Sequence, residues 1–198
     1  MNAKNEMESN THLSDHGDGL ADIFIGIFLI AFGFSMLSEM TWLGAVTAPL
    51  MFTVWLSAKT QIVLPRLERD ARLQAVERGG KAFGKMTALF AVTLFLGVIF
   101  LAIFANGNPE AGILAWLRSN FDLVFGMLLA VFLASFGGIL RTARFYVYAL
   151  LAAALTLAGV YFDVPLWVMV TGIGSLTFLA GLLTLGAFLK RYPLDEGS

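Results

Sequence analysis

The chain has no cysteine, two histidines and little charge: only 14% of its 198 residues are Asp, Glu, Lys or Arg. Without cysteine there are no disulfides, thiolate metal sites, iron–sulfur clusters or cysteine nucleophiles. A soluble domain carries about a quarter charged residues. A chain that is 58% hydrophobic, with 18 Phe and a mean hydropathy of +0.79, is not built to face water on all sides. The formal net charge of −1 excludes a nucleic-acid binder held by phosphate neutralisation, which needs clustered excess Lys and Arg. Phosphate-loop, zinc-protease and nucleophile-elbow patterns are all missing, and both histidines, His12 and His16, stand in the first eighteen residues. No nucleophile and base can be paired, so the chain reads as a non-enzyme without a cofactor.

What is present is a series of long apolar runs. Crossing about 30 Å of hydrocarbon takes about 20 residues, and the runs at 20–37, 42–63, 85–105, 121–140, 145–161 and 166–189 give six spans. None alternates with period two, and backbone groups in lipid must be satisfied within the segment, so these are helices and not barrel strands. The expected fold is an all-α polytopic membrane protein, a single six-helix domain over 19–191. Residues 1–18 form a polar cytoplasmic tail, 64–84 a basic cytoplasmic connection and 192–198 a short C-terminal tail. The first tail lacks an apolar core of signal-peptide length, so the first span serves as its own insertion signal. The fifth span is the shortest, and it fits if Tyr146 and Tyr161 mark the two interfaces.

Orientation follows from the basic residues. Lys4, the seven between Lys59 and Lys85, Arg141 and Arg144, and Lys190 and Arg191 fall on one side, and Arg118 alone on the other. The positive-inside rule then places both termini in the cytoplasm and the chain in the inner membrane. Trp42, Trp116 and Trp167 fall at outer-face ends, where amphipathic rings settle.

The connection after the second span begins Leu64-Pro65-Arg66 and spaces Arg66, Arg69 and Arg72 three apart before Gly79-Gly80, which reads as a short amphipathic helix. Its arginines suit contact with anionic lipid or with a partner protein; the plainer reading is a topology signal that keeps the loop inside. Asn108 to Arg118 reads as a second, shorter interfacial helix on the outer side. His12, Asp15, His16 and Asp18 could in principle bind a metal, but so polar a stretch reads as solvated tail, and no metal site is assigned.

Shifting the chain by 100 residues aligns Asp22 with Asp122, Gly26 with Gly126, Leu29 with Leu129, Phe32 with Phe132 and Ser35 with Ser135. Three helices per half would make the halves antiparallel, as in 3+3 inverted-repeat transporters. Asp22 and Asp122 then stand near helix N-termini, either capping the dipole or forming a pair of gates at opposite faces. Interior polarity rests on hydroxyls: Thr47, Thr53, Thr87, Thr93, Ser135, Thr156, Thr171, Ser175, Thr177 and Thr184. These can line a path, but more often they bond a carbonyl one turn back. Pro49 is expected to kink the second span. Gly26, Gly33, Gly137, Gly138, Gly174, Gly181 and Gly186 point to a closely packed bundle or to a face for a homo-oligomer or membrane partner.

Asp18-Gly-Leu-Ala-Asp-Ile-Phe-Ile-Gly-Ile-Phe-Leu, Leu64-Pro-Arg, Arg144-Phe-Tyr-Val-Tyr-Ala-Leu and Phe188-Leu-Lys-Arg-Tyr-Pro-Leu together resemble an uncharacterised family of small prokaryotic six-helix integral membrane proteins. The resemblance covers nearly the whole chain and implies six membrane helices and no particular chemistry. The reading that follows is a channel or facilitator for a small solute or ion; its alternative is a non-catalytic membrane subunit or scaffold. Convergence of the hydroxyls of spans two, three and six on one cavity would discriminate the two.

Overall fold

Helices account for nearly all of the described backbone because the apolar runs leave each N–H and C=O to be satisfied one turn away. The computed structural model describes residues 18–38, 41–66 and 112–193, together with 84, 85 and 88. The helices are α1 (Leu20–Leu37), α2 (Thr41–Ala58), α3 (Gly112–Ser119), α4 (Phe121–Leu140), α5 (Ala143–Tyr161) and α6 (Leu166–Arg191). No strand occurs among the described residues. Among the described residues, four helices, α1, α4, α5 and α6, are long and apolar enough to cross a membrane. The protein is therefore an all-α chain with membrane-spanning capacity.

The expected spans 20–37 and 121–140 coincide with α1 and α4, and α5 and α6 differ from expectation by two residues at one end. Tyr146 and Tyr161, at the two ends of α5, are 54% and 81% exposed. The second span divides: α2 runs through Pro49 to Ala58, then continues as a π-helical turn, Lys59–Val63, and a 3-10 turn, Leu64–Arg66. The departure from α geometry thus falls at Lys59, two turns and more beyond the proline. π-helical turns inside helices recur at functional positions. The third span at 85–105 and the connecting helix beyond residue 66 lie outside the described residues, apart from residues 84, 85 and 88.

The chain divides into two units. The first holds residues 1–79 and 164–198, the second 80–163. In the first, α1 and α2 form a hairpin, and α6 packs on α1. Gly33 lies against Thr171, Gly26 against Phe178 and Gly19 against Leu185, so numbers fall along α1 as they rise along α6 and the pair is antiparallel. Both sets step by seven residues, the 3.5-residue period of a left-handed coil. Gly174 and Gly181, also seven apart, reciprocate against Ile30 and Ile23. Lipid offers no hydrophobic force to hold helices together, so close approach over small residues supplies the dispersion contacts. A methyl group on Gly26 would come within 2.5 Å of the Phe178 backbone nitrogen.

In the second unit, α4 and α5 form a hairpin. Arg141 ends α4 in the left-handed region at φ 52°, and the Thr142 N–H reaches back to the Gly137 carbonyl at 3.1 Å, a Schellman closure. Phe136, Phe145 and Tyr148 are buried beside this turn in an aromatic chain with centroid spacings of 6.2 and 5.5 Å. Gly126 packs against Thr156. The short α3 leads into α4 at Asn120, whose backbone and side-chain N–H groups both donate to the Trp116 carbonyl, at 3.0 and 2.9 Å. Trp116 itself is exposed, as an interfacial ring would be.

Candidate functional site

Charged side chains are almost never fully buried unless paired, so burial singles out three residues. Asp18 is 2% exposed, Asp22 0% and Lys59 6%; they are the only buried charges among the described residues. All three belong to the first unit. Asp18 and Asp22 stand four residues apart on one face of the chain entering α1. Asp18 Oδ1 accepts the Leu20 N–H at 2.9 Å and so caps the helix start, after Gly19 has turned the backbone at φ 79°. Asp22 sits in the next turn, where Gly181 of α6 is close enough that a Cβ on the glycine would lie 2.9 Å from the aspartate Cβ.

Lys59 opens the π-helical turn. Its Nζ stands 5.7 Å from the centre of the Trp55 ring, a cation–π distance, and Trp55, Lys59 and Val63 form one buried stripe along α2 and its extension. Asp18 and Asp22 stand at the start of α1, and Lys59 at the end of α2. Arg66 is half-buried there and donates from Nη1 to the Ile62 carbonyl, while Lys190 and Arg191 on α6 are exposed.

The opposite face of α2 is open. Thr53, Ser57, Thr60 and Gln61 are exposed, and Thr53, Val54, Ser57, Ala58, Gln61 and Ile62 line a shallow groove of about 360 Å³. Thr53 and Thr60 donate to the carbonyls of Leu50 and Ser57, and Gln61 Nε2 donates to Ser57 Oγ at 3.3 Å. An amide has two donors and two acceptor lone pairs, so Gln61 retains capacity for a further polar contact.

The paired candidates Asp22 and Asp122 occupy different surroundings. Asp22 is enclosed by α6, whereas Asp122 is exposed in the first turn of α4. Gly26 and Gly126 both seat another helix, but Gly26 meets α6 and Gly126 meets α5. Of the three loop arginines, Arg66 turns back on its own helix; Arg69 and Arg72 lie outside the described residues, as does the tail with His12, Asp15 and His16. Ser135, Thr156, Ser175, Thr177 and Thr184 each bond a carbonyl four residues back. They are satisfied within their helices. Thr171 Oγ1 is different: it is buried against Gly33 without a hydrogen-bond partner.

Sequence reading left the interior without ionisable side chains. It missed Lys59 because that residue was counted with the basic connection, although it lies within the 42–63 run. The signal was available as Trp55, Lys59 and Val63 at four-residue spacing. No family model matches this chain, and no curated protein or solved structure does either.

Proposed function

We propose that the chain is a six-span inner-membrane protein with both termini in the cytoplasm, acting as a channel or facilitator for a small polar solute or ion. The observation that carries this reading is the open polar stripe of α2, Thr53, Ser57, Thr60 and Gln61, on a helix whose other face packs on α1. Hydroxyl and amide groups on an open helix face are poorly suited to hydrocarbon and well suited to a wet path. The basic connections set the orientation through the positive-inside rule. A 3+3 inverted repeat belongs to this reading through the 100-residue shift and the two hairpins, α1–α2 and α4–α5.

The test is reconstitution of the purified chain in liposomes, with osmotic swelling measured for small neutral solutes and dye readouts for protons and monovalent ions. Flux for one solute class, reduced several-fold by Gln61→Leu, supports the reading. The second reading, a non-catalytic subunit, rests on the same stripe serving as a seat for a partner helix. It would be favoured by silent liposomes together with a stoichiometric partner that is lost when Arg66, Arg69 and Arg72 are replaced.

A further inference from the structure

We infer that the turn joining α4 and α5 binds the headgroup of an anionic phospholipid. Arg141 and Arg144 meet its phosphate, Tyr146 marks the boundary, and the exposed face of α5 carries an acyl chain.

The hairpin carries its charges at opposite ends. Arg141 and Arg144 flank the turn, whereas Asp122 opens α4 and Asp163 follows α5. These are the only acidic side chains among the described residues of this unit. At about 1.5 Å per residue the 20 residues of α4 extend about 30 Å, the depth of the hydrocarbon core. When the hairpin crosses a bilayer, both arginines therefore stand at the phosphates of one leaflet and both carboxylates at the other. Arginine suits phosphate in particular, because its planar fork offers paired donors.

Local packing gives this end the outline of a lipid. Arg141 is exposed, and Arg144 is half-buried in the first turn of α5. Tyr146 lays its ring across the step left by two glycines of α4: a Cβ on Gly137 would come within 3.1 Å of the ring, and one on Gly138 within 3.5 Å of the hydroxyl oxygen. The phenol thus stands in the same turn of α4 that ends at Arg141, and an O–H can donate to a phosphodiester beside the guanidinium. Beyond Tyr146 the exposed face of α5 continues through Val147, Leu150 and Leu157, all apolar. Cation, amphipathic ring and apolar stripe follow one another in the order of phosphate, glycerol and acyl chain. A soluble anion or an acidic peptide has no apolar tail to lay on that stripe. The other end of α5 supplies the contrast: Tyr161 and Phe162 are exposed rings too, but the charge that follows them is Asp163.

Native mass spectrometry of the full-length protein in detergent, titrated with dioleoyl phosphatidylglycerol or dioleoyl phosphatidylcholine, tests the site. The first phosphatidylglycerol is expected to bind several-fold more tightly than the first phosphatidylcholine. Arg141→Gly combined with Arg144→Gln is expected to reduce that preference several-fold and to leave phosphatidylcholine binding unchanged. Arg141→Gly removes the charge at a left-handed position that glycine accepts. Equal binding of the two lipids by the native protein, or an unchanged preference in the double variant, overturns the site. Glycerol phosphate competing as well as the lipid marks a soluble-anion site, and a stoichiometric acidic protein lost with the arginines marks a protein interface; either result overturns the lipid assignment. Should the double variant fail to fold, two further measurements decide: the preference must persist in Arg144→Lys and must weaken in the native protein as salt is raised, and failure of either overturns the site.

Discussion

Gly181 of α6 and Asp22 of α1 are packed so closely that a methyl group on the glycine would lie 2.9 Å from the aspartate Cβ and 2.6 Å from the Ile23 nitrogen. Backbone cannot retreat as a flexible side chain can. Gly181→Ala is therefore expected to destabilise the protein by about 1–3 kcal/mol, the usual range for overpacking. Thermal unfolding in detergent checks it.

Gly186 lies on the same helix with open space where its Cβ would be. Replacing a helix-interior glycine by alanine without steric cost gains about 0.5–1 kcal/mol from reduced chain entropy. Gly186→Ala is expected to raise the unfolding midpoint, opposite in sign to Gly181→Ala. Equal behaviour of the two variants would remove the α1–α6 packing argument.

Asp18→Ala removes the acceptor of the Leu20 N–H and is expected to cost about 1 kcal/mol. Asp18→Asn keeps an acceptor oxygen while deleting the charge. If the cap is the whole role of Asp18, the asparagine variant matches the native midpoint; a loss comparable to that of alanine assigns the stabilisation to charge instead.

Asp122 is exposed in the first turn of α4, so Asp122→Asn is expected to leave yield and melting nearly unchanged, in contrast to Asp22→Asn. Flux per folded molecule then isolates any role of Asp122 at a channel mouth. Unchanged flux ends its candidacy as a gate.

Arg141 occupies the left-handed position that closes α4, where glycine has no Cβ penalty. Arg141→Gly is expected to stabilise by roughly 0.5–1 kcal/mol relative to a neutral surface change. Chemical denaturation of the detergent-solubilised protein measures it.

Much of the fold was legible before any coordinates. α1 and α4 match the apolar runs residue for residue because the runs end at the polar side chains Ser38 and Arg141, the latter in the left-handed region. α2 was not legible in the same way. Its apolar run continues smoothly past Ala58, and hydropathy carries no sign of a change from α to π hydrogen bonding. The candidate site was half visible: Asp22 stood out as a carboxylate at a helix start, yet its surroundings depended on α6, about 160 residues further along the chain. The 100-residue shift equated Asp22 with Asp122, and that equality of letters concealed one buried carboxylate and one exposed one.

Composition and run length alone determined that this is a helical chain suited to a membrane, because unsatisfied backbone in lipid leaves few alternatives to helices. The glycines of the apolar runs likewise announced close helix contacts. Only the tertiary structure decided that the contacts of Gly19, Gly26 and Gly33 are made by α6, that α2 keeps a polar face open, and that Asp18, Asp22 and Lys59 are each buried. The reason is physical: local pattern sets which face of a helix is small or polar, but the partner that meets the face is chosen by packing among all the helices at once.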